Sequence, residues 1–155
     1  LNEASAQGDR VVAALYERFK PAGEQSVDVS DCPDLLPPLA VMAARRDGTT
    51  HFVNAARLRM KESDRLAAMA EAISGLGGRA QATADGLRID GGRLLNGGEV
   101  DGCNDHRIVM SMAVAALRCT GPVTIQDAQS VAKSWPDFFA RMQQLGAEVK
   151  TDGTT

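Results

Sequence analysis

The chain repeats itself, and that repeat constrains the fold more than any other feature. Shifted by 73 residues, Val27-Asp28 falls on Val100-Asp101, Ala40-Val41 on Ala113-Val114 and Gly48 on Gly121. Asn54-Ala55 likewise falls on Asp127-Ala128, Asp64 on Asp137 and Met69 on Met142. The second copy then runs four residues shorter, because Leu76-Gly77 matches Leu145-Gly146 at an offset of 69. A third, partial copy opens the chain, where Asp9-Arg10-Val11-Val12-Ala13-Ala14-Leu15 resembles Asp64-Arg65-Leu66-Ala67-Ala68-Met69-Ala70. The expected organisation is one domain over residues 1–155, belonging to something larger. It divides into a partial repeat 1–24, full repeats 25–98 and 99–150, and a tail 151–155.

Each copy alternates strand and helix signals. Residues 26–30 alternate like a strand, and residues 35–46 carry Leu39, Met42 and Ala43 at helical spacing, with Pro37 and Pro38 tolerable only in the first turn. Thr49–Val53 is a β-branched strand after the Asp47-Gly48 turn. Residues 62–76 place Leu66, Met69, Ile73 and Leu76 on one helical face, stopped by Gly77-Gly78. A hairpin over 80–84 and Leu87–Asp90 follows, turning at Asp85-Gly86, and residues 91–98 read as loop. In the second copy a helix is predicted over 105–119, a strand at Val123–Ile125, a helix over 136–145 and a closing strand over 147–150. Such an order defines an α/β (or α+β) domain of packed repeats.

A length of 155 residues with 44% hydrophobic content allows a well-buried core. A net charge of −3 and 4% aromatics disfavour a nucleic-acid surface, which needs a basic face and stacking rings. No apolar run reaches membrane-spanning length, and the first ten residues lack a signal-peptide layout. Cys32, Cys103 and Cys119 are odd in number and lack metal-ligand spacing, so they read as reduced thiols of a cytoplasmic protein. No metal site, cofactor, nucleic acid or membrane is implied.

Charged groups cluster at predicted helix starts, where unpaired N–H groups and the helix dipole favour anions. Arg57, Arg59, Lys61 and Arg65 fall within nine residues of an otherwise acidic chain, and Arg107 and Lys133 take the corresponding region of the next copy. If equivalent ends converge, these cations surround one anionic ligand. Alternatively they are solvated, or Arg57 and Arg59 pair with Glu62 and Asp64. Asp34 and Glu62 are the candidate proton-transfer groups, each alternatively a helix cap or dipole partner. Asp64, Asp105 and Asp137 recur with the repeat and are expected to cap or pack. His106, beside Arg107, is a candidate ligand donor. Trp135, Phe138 and Phe139 are expected in the core, as are the methionines at helical spacing. No Gly-rich P-loop with Lys-Ser/Thr occurs.

Arg59-Met60-Lys61-Glu62-Ser63-Asp64-Arg65-Leu66 resembles the signature of the 5-enolpyruvylshikimate-3-phosphate synthase family. Asp31-Cys32-Pro33-Asp34, Asn104-Asp105-His106-Arg107 and Lys133-Ser134-Trp135-Pro136-Asp137 follow that family's C-terminal half in order. The resemblance implies two domains of three βαβαββ units each, an inside-out α/β barrel type, with the active site in the cleft between them. It implies transfer of the enolpyruvyl group of phosphoenolpyruvate to the 5-hydroxyl of shikimate 3-phosphate through a tetrahedral ketal, releasing phosphate. Asp34 would deprotonate that hydroxyl and Glu62 protonate the methylene carbon. Lys61 would contact shikimate 3-phosphate, and Arg65, Arg107 and Lys133, with His106 near them, would hold phosphoenolpyruvate. Some members carry Asn where Arg57 stands, so that contact is not carried over. The family's N-terminal half, which supplies a Lys-Ser pair and an Arg, has no counterpart here, so the chain alone should be inactive and the N-terminal domain its partner. A UDP-N-acetylglucosamine enolpyruvyl transferase-like domain, or a stand-alone anion-binding module, are the other readings; Lys61 to Arg65 speaks against the first.

Overall fold

Strand register carries the repeat into three dimensions. A computed structural model describes residues 8–152; residues 1–7 of the partial repeat and 153–155 of the tail lie outside the described residues. Strand β1 (Gln25–Asp28) lies parallel to β2 (Thr49–Val53), with Val27 opposite Phe52. Strand β5 (Gly98–Val100) lies parallel to β6 (Val123–Ile125), with Val100 opposite Ile125, the same register moved along by 73 residues. Helix α2 (Leu36–Arg45) crosses between the first pair and α4 (His106–Ala116) between the second. Parallel strands need such a crossover. The turn after the second strand also repeats, with Asn54 at φ 58° and Asp127 at φ 54°.

The first unit continues through α3 (Arg65–Gly75) into the hairpin β3 (Arg79–Ala82) and β4 (Leu87–Asp90), closing a four-stranded sheet in the order β1-β2-β4-β3. β4 runs antiparallel to both neighbours. The full order is βαβαββ, and the architecture is α/β. Before it stands α1 (Val12–Arg18), and after β6 comes α5 (Phe138–Gln144). Gly48 turns the chain into β2 at φ +118°, where a Cβ would sit 2.1 Å from the Gly23 carbonyl oxygen, so only glycine fits.

The expected faces are buried: Leu66, Met69 and Ile73 of α3, its C-cap Leu76, and Ile108 and Met112 of α4, have no exposed surface. Pro37 and Pro38 do sit in the first turn of α2. A smaller core joins Val109, Ala113, Val131 and Phe138.

Three expectations need correction. Trp135 is about half exposed, its ring edge-on to Phe138 at 5.5 Å, because it precedes α5 and lies over the small core instead of within it. Residues 147–150 form no strand. β3 pairs only with β4, and the second unit offers no equivalent of β4 among the described residues, so residues 147–150 have no ladder to join. Finally α3 begins three residues later than predicted. Asp64 caps it by accepting the Ala67 amide at 3.1 Å, leaving Lys61, Glu62 and Ser63 on a bent connection after the 3₁₀ turn Ala56–Met60.

Candidate active site

The bent connection ahead of α3 faces the N-terminal end of α4. Arg65, in the first turn of α3, is only 3% exposed, and Asp105, the N-cap of α4, is fully buried. Arg65 Nε donates to Asp105 Oδ2 at 2.8 Å and Nη2 to Oδ1 at 3.2 Å, a two-point clasp between the helices. Asp105 also accepts the Arg107 amide at 3.0 Å and the Ser63 hydroxyl at 2.9 Å. Burial pushes its carboxyl up, but the bonds from Arg65, the Arg107 amide and Ser63 outweigh that and hold it below the ordinary carboxylate range.

Asp34 lies in the 3₁₀ turn Pro33–Leu35 that leads into α2. Three cations meet its carboxylate: Arg65 Nη1 at 2.9 Å, Arg107 Nη2 at 3.1 Å and Lys61 Nζ at 3.7 Å. Arg107 Nη1 adds a 3.4 Å bond to the Asp34 carbonyl. The second carboxylate, Glu62, lies 3.0 Å from His106 Nδ1 and 3.4 Å from Lys133 Nζ. The Lys133 ammonium also donates to the Asn104 carbonyl. Lys133 ends the 3₁₀ turn Ala128–Lys133 and does not start a helix as expected, since α5 begins only at Phe138.

All of Asp34, Lys61, Glu62, Arg65, His106, Arg107 and Lys133 are thus linked in two adjoining clusters, drawn from both repeat copies. Arg59 departs from the cation group. It pairs with Asp64 at 2.6 Å, donates to the Ala84 carbonyl at 3.0 Å and also bonds the Thr83 carbonyl, pinning the β3–β4 turn to the start of α3. Arg57 is exposed. Sequence reasoning assigned Asp105 a cap or packing role and missed its clasp on Arg65, and it gave Ser63 and Asn104 no part. A Ser inside the signature is the only local signal of the first; the second acts through its backbone and leaves no side-chain signal.

Glu62, Asp105 and His106 place possible ligand atoms within 4.8 Å of one another. Both Asp105 oxygens are already engaged by Arg65, however, so the donor set is arranged around guanidinium and not around a metal ion. A separate cleft of about 360 Å³ between α1, α2 and α4, walled by Phe19, Met42 and Leu95, contains none of these residues.

A βαβαββ unit followed by a second strand–helix–strand–helix unit in the same register, with charged helix starts, defines an enolpyruvyl transferase fold. The chain superposes on EPSP synthase from Acinetobacter baumannii with a TM-score of 0.68 at 32% identity, covering 89% of this chain and 28% of that one. The enolpyruvyl transferase NikO from Streptomyces tendae gives a TM-score of 0.65 at 25% identity, covering 84% and 30%. More particularly, the chain belongs to the EPSP synthase (3-phosphoshikimate 1-carboxyvinyltransferase) family, whose model matches residues 6–142. It is 45% identical to 3-phosphoshikimate 1-carboxyvinyltransferase of Clostridium acetobutylicum over 96% of its own length, and 51% identical to that of Methanocella arvoryzae over 80%. It spans 38% of the length of the Clostridium acetobutylicum relative. Among the described residues no helix is long and apolar enough to cross a membrane.

Proposed function

We infer that this chain forms one half of an active site that moves the enolpyruvyl group of phosphoenolpyruvate to the 5-hydroxyl of shikimate 3-phosphate, releasing phosphate. The observation that carries the reading is the convergence of Lys61, Arg65, Arg107 and Lys133 with two carboxylates, Asp34 and Glu62, from motifs far apart in sequence. Four cations, two of them in the first turns of α3 and α4, suit a ligand carrying a carboxylate and a phosphate.

In this reading Arg107 and Lys133, with Arg65 behind them and His106 beside them, hold phosphoenolpyruvate, and Lys61 meets shikimate 3-phosphate. Asp34 takes the proton of the 5-hydroxyl as its oxygen bonds to C2 of phosphoenolpyruvate. Glu62 gives a proton to C3, turning the methylene into a methyl group and forming the tetrahedral ketal. Loss of phosphate and of one methyl proton then restores the double bond. Glu62 lies against His106 and Lys133, a route by which that proton can be returned and replaced. Residues 25–98 and 99–150 act as successive repeat copies of one domain, with 1–24 a partial copy and 151–155 a tail. The partner is an N-terminal domain facing the clusters, which completes the charge around both substrates. The three thiols are free, and burial pushes each of them up, Cys103 to about 11, so they stay protonated; this suits the reducing cytoplasm, where we place the protein.

Phosphate release from phosphoenolpyruvate plus shikimate 3-phosphate tests the reading, using this chain alone and mixed with a separately made N-terminal half from a relative. Turnover is expected only in the mixture. Turnover by the chain alone would overturn the half-site account. Silence of the mixture, with both parts folded and associated, would favour an anion-binding module.

A further inference from the structure

Each candidate ligand cation already holds a carboxylate of this chain, and the pairs differ in how easily they can part. Arg65 is 3% exposed and is fixed at two points by the fully buried Asp105. Arg107 and Lys61 are 32% and 38% exposed, and the Asp34 side chain they share is 36% exposed. Exposed pairs of this kind are weakly held and exchange readily, whereas a buried clasp does not. The Asp34 carboxylate spans Lys61, Arg65 and Arg107 as one oxygen edge of a phosphate or carboxylate would.

Resting on the reading above, we propose that Asp34 is a stand-in for the ligand anion: it occupies Arg107 and Lys61 until a phosphate- or carboxylate-bearing molecule takes them over, while Arg65 stays fixed on Asp105. Three consequences follow from the geometry. Asp34 competes with the ligand, so the site is weaker for free anions than its cations alone would make it. Its occupation keeps Arg107 and Lys61 aligned before a ligand arrives, which lowers the ordering cost of binding. The exchange also frees the Asp34 Oδ2 edge, while Oδ1 keeps its 2.9 Å bond from Arg65, to accept a hydrogen bond from the second substrate's hydroxyl, which couples the two binding events.

Calorimetric titration of the 155-residue chain with phosphoenolpyruvate and, separately, inorganic phosphate tests this, comparing wild type with Asp34→Asn and Asp34→Ala. Glu148→Gln, the same charge change on an exposed residue outside the clusters, controls for net charge. The Asp34 variants are expected to bind both anions about tenfold more tightly, and Glu148→Gln to match wild type. Equal or weaker binding by folded Asp34 variants would overturn the exchange while leaving the anion site standing. Absence of binding in every folded chain would overturn the anion-site reading and the exchange with it. A second measurement needs no variant: in the wild-type chain the carboxyl-carbon resonance of Asp34 should move as phosphate is added while that of Asp105 stays. An unmoved Asp34 resonance under saturating phosphate would likewise overturn the proposal.

Discussion

Asp34 and Arg107 occupy equivalent points of the two repeat units, 73 residues apart, yet they carry opposite charge and bind one another at 3.1 Å. Around them the backbone is shared. Asp28 and Asp101 each accept the amide two residues on, at 2.8 and 2.7 Å, and the parallel strands keep one register. At the next equivalent pair Arg65 of the first unit stands where the second has Phe138, one clasping Asp105 and the other filling the small core. The shared register thus sets where the helix starts point, and the residue at each start decides which hold charge partners and which pack. The units also differ in completeness. The first closes a four-stranded sheet over α3, whereas the second has two strands among the described residues and leaves Leu145 of its last turn 86% exposed.

The comparison can be broken most severely at the clasp. Asp105→Ala leaves the buried Arg65 with only its 2.9 Å bond to Asp34 and should cost about 3–5 kcal/mol, read by urea unfolding. Because the Asp105 carboxyl is held below its ordinary value, its contribution is present above the unfolded-state value of about 3.9 and is lost as pH falls through the lower folded value. Wild type should therefore lose stability on acidification in that window, and Asp105→Asn should lose less. A variant as stable as wild type at pH 7 would mean that the two helix starts are held by something else.

A smaller effect separates the two cores. Leu66→Ala, at a fully buried position of α3, should cost about 2–5 kcal/mol, while Leu145→Ala, after α5, should stay within about 0.5. Comparable losses would show that the second unit is as tightly packed as the first. The smallest contrast lies in the caps. Asp64→Ala removes a bond to the Ala67 amide and should cost about 1 kcal/mol. Asp137, its repeat equivalent, makes no side-chain cap bond, so Asp137→Ala should be nearly silent.

What could be read in the sequence follows the same division. Helix faces such as Leu66, Met69, Ile73 and Leu76 were legible because a 3.6-residue period leaves a mark in order alone. The repeat offset was legible for the same reason, and the family signature pointed to the candidate site residues that the two charge clusters bring together. Partners distant in sequence left no such mark. Nothing local says that Ser63 reaches Asp105 across 42 positions, or that Arg59 turns to the carbonyls of Thr83 and Ala84. The late start of α3 was hidden because Lys61, Glu62 and Ser63 fit a helix as well as a loop; the Asp64 cap decides it. Trp135 and residues 147–150 were misread because burial and pairing depend on neighbours that the second unit lacks among the described residues.

The central claim is that cations from separate motifs form one anion site, and amide chemical shifts test it most directly. Titrating phosphoenolpyruvate into the labelled chain should move the amides around Arg65, Arg107 and Lys133 together, along one binding curve. Movement confined to one of those segments, or separate curves for each, would contradict the claim.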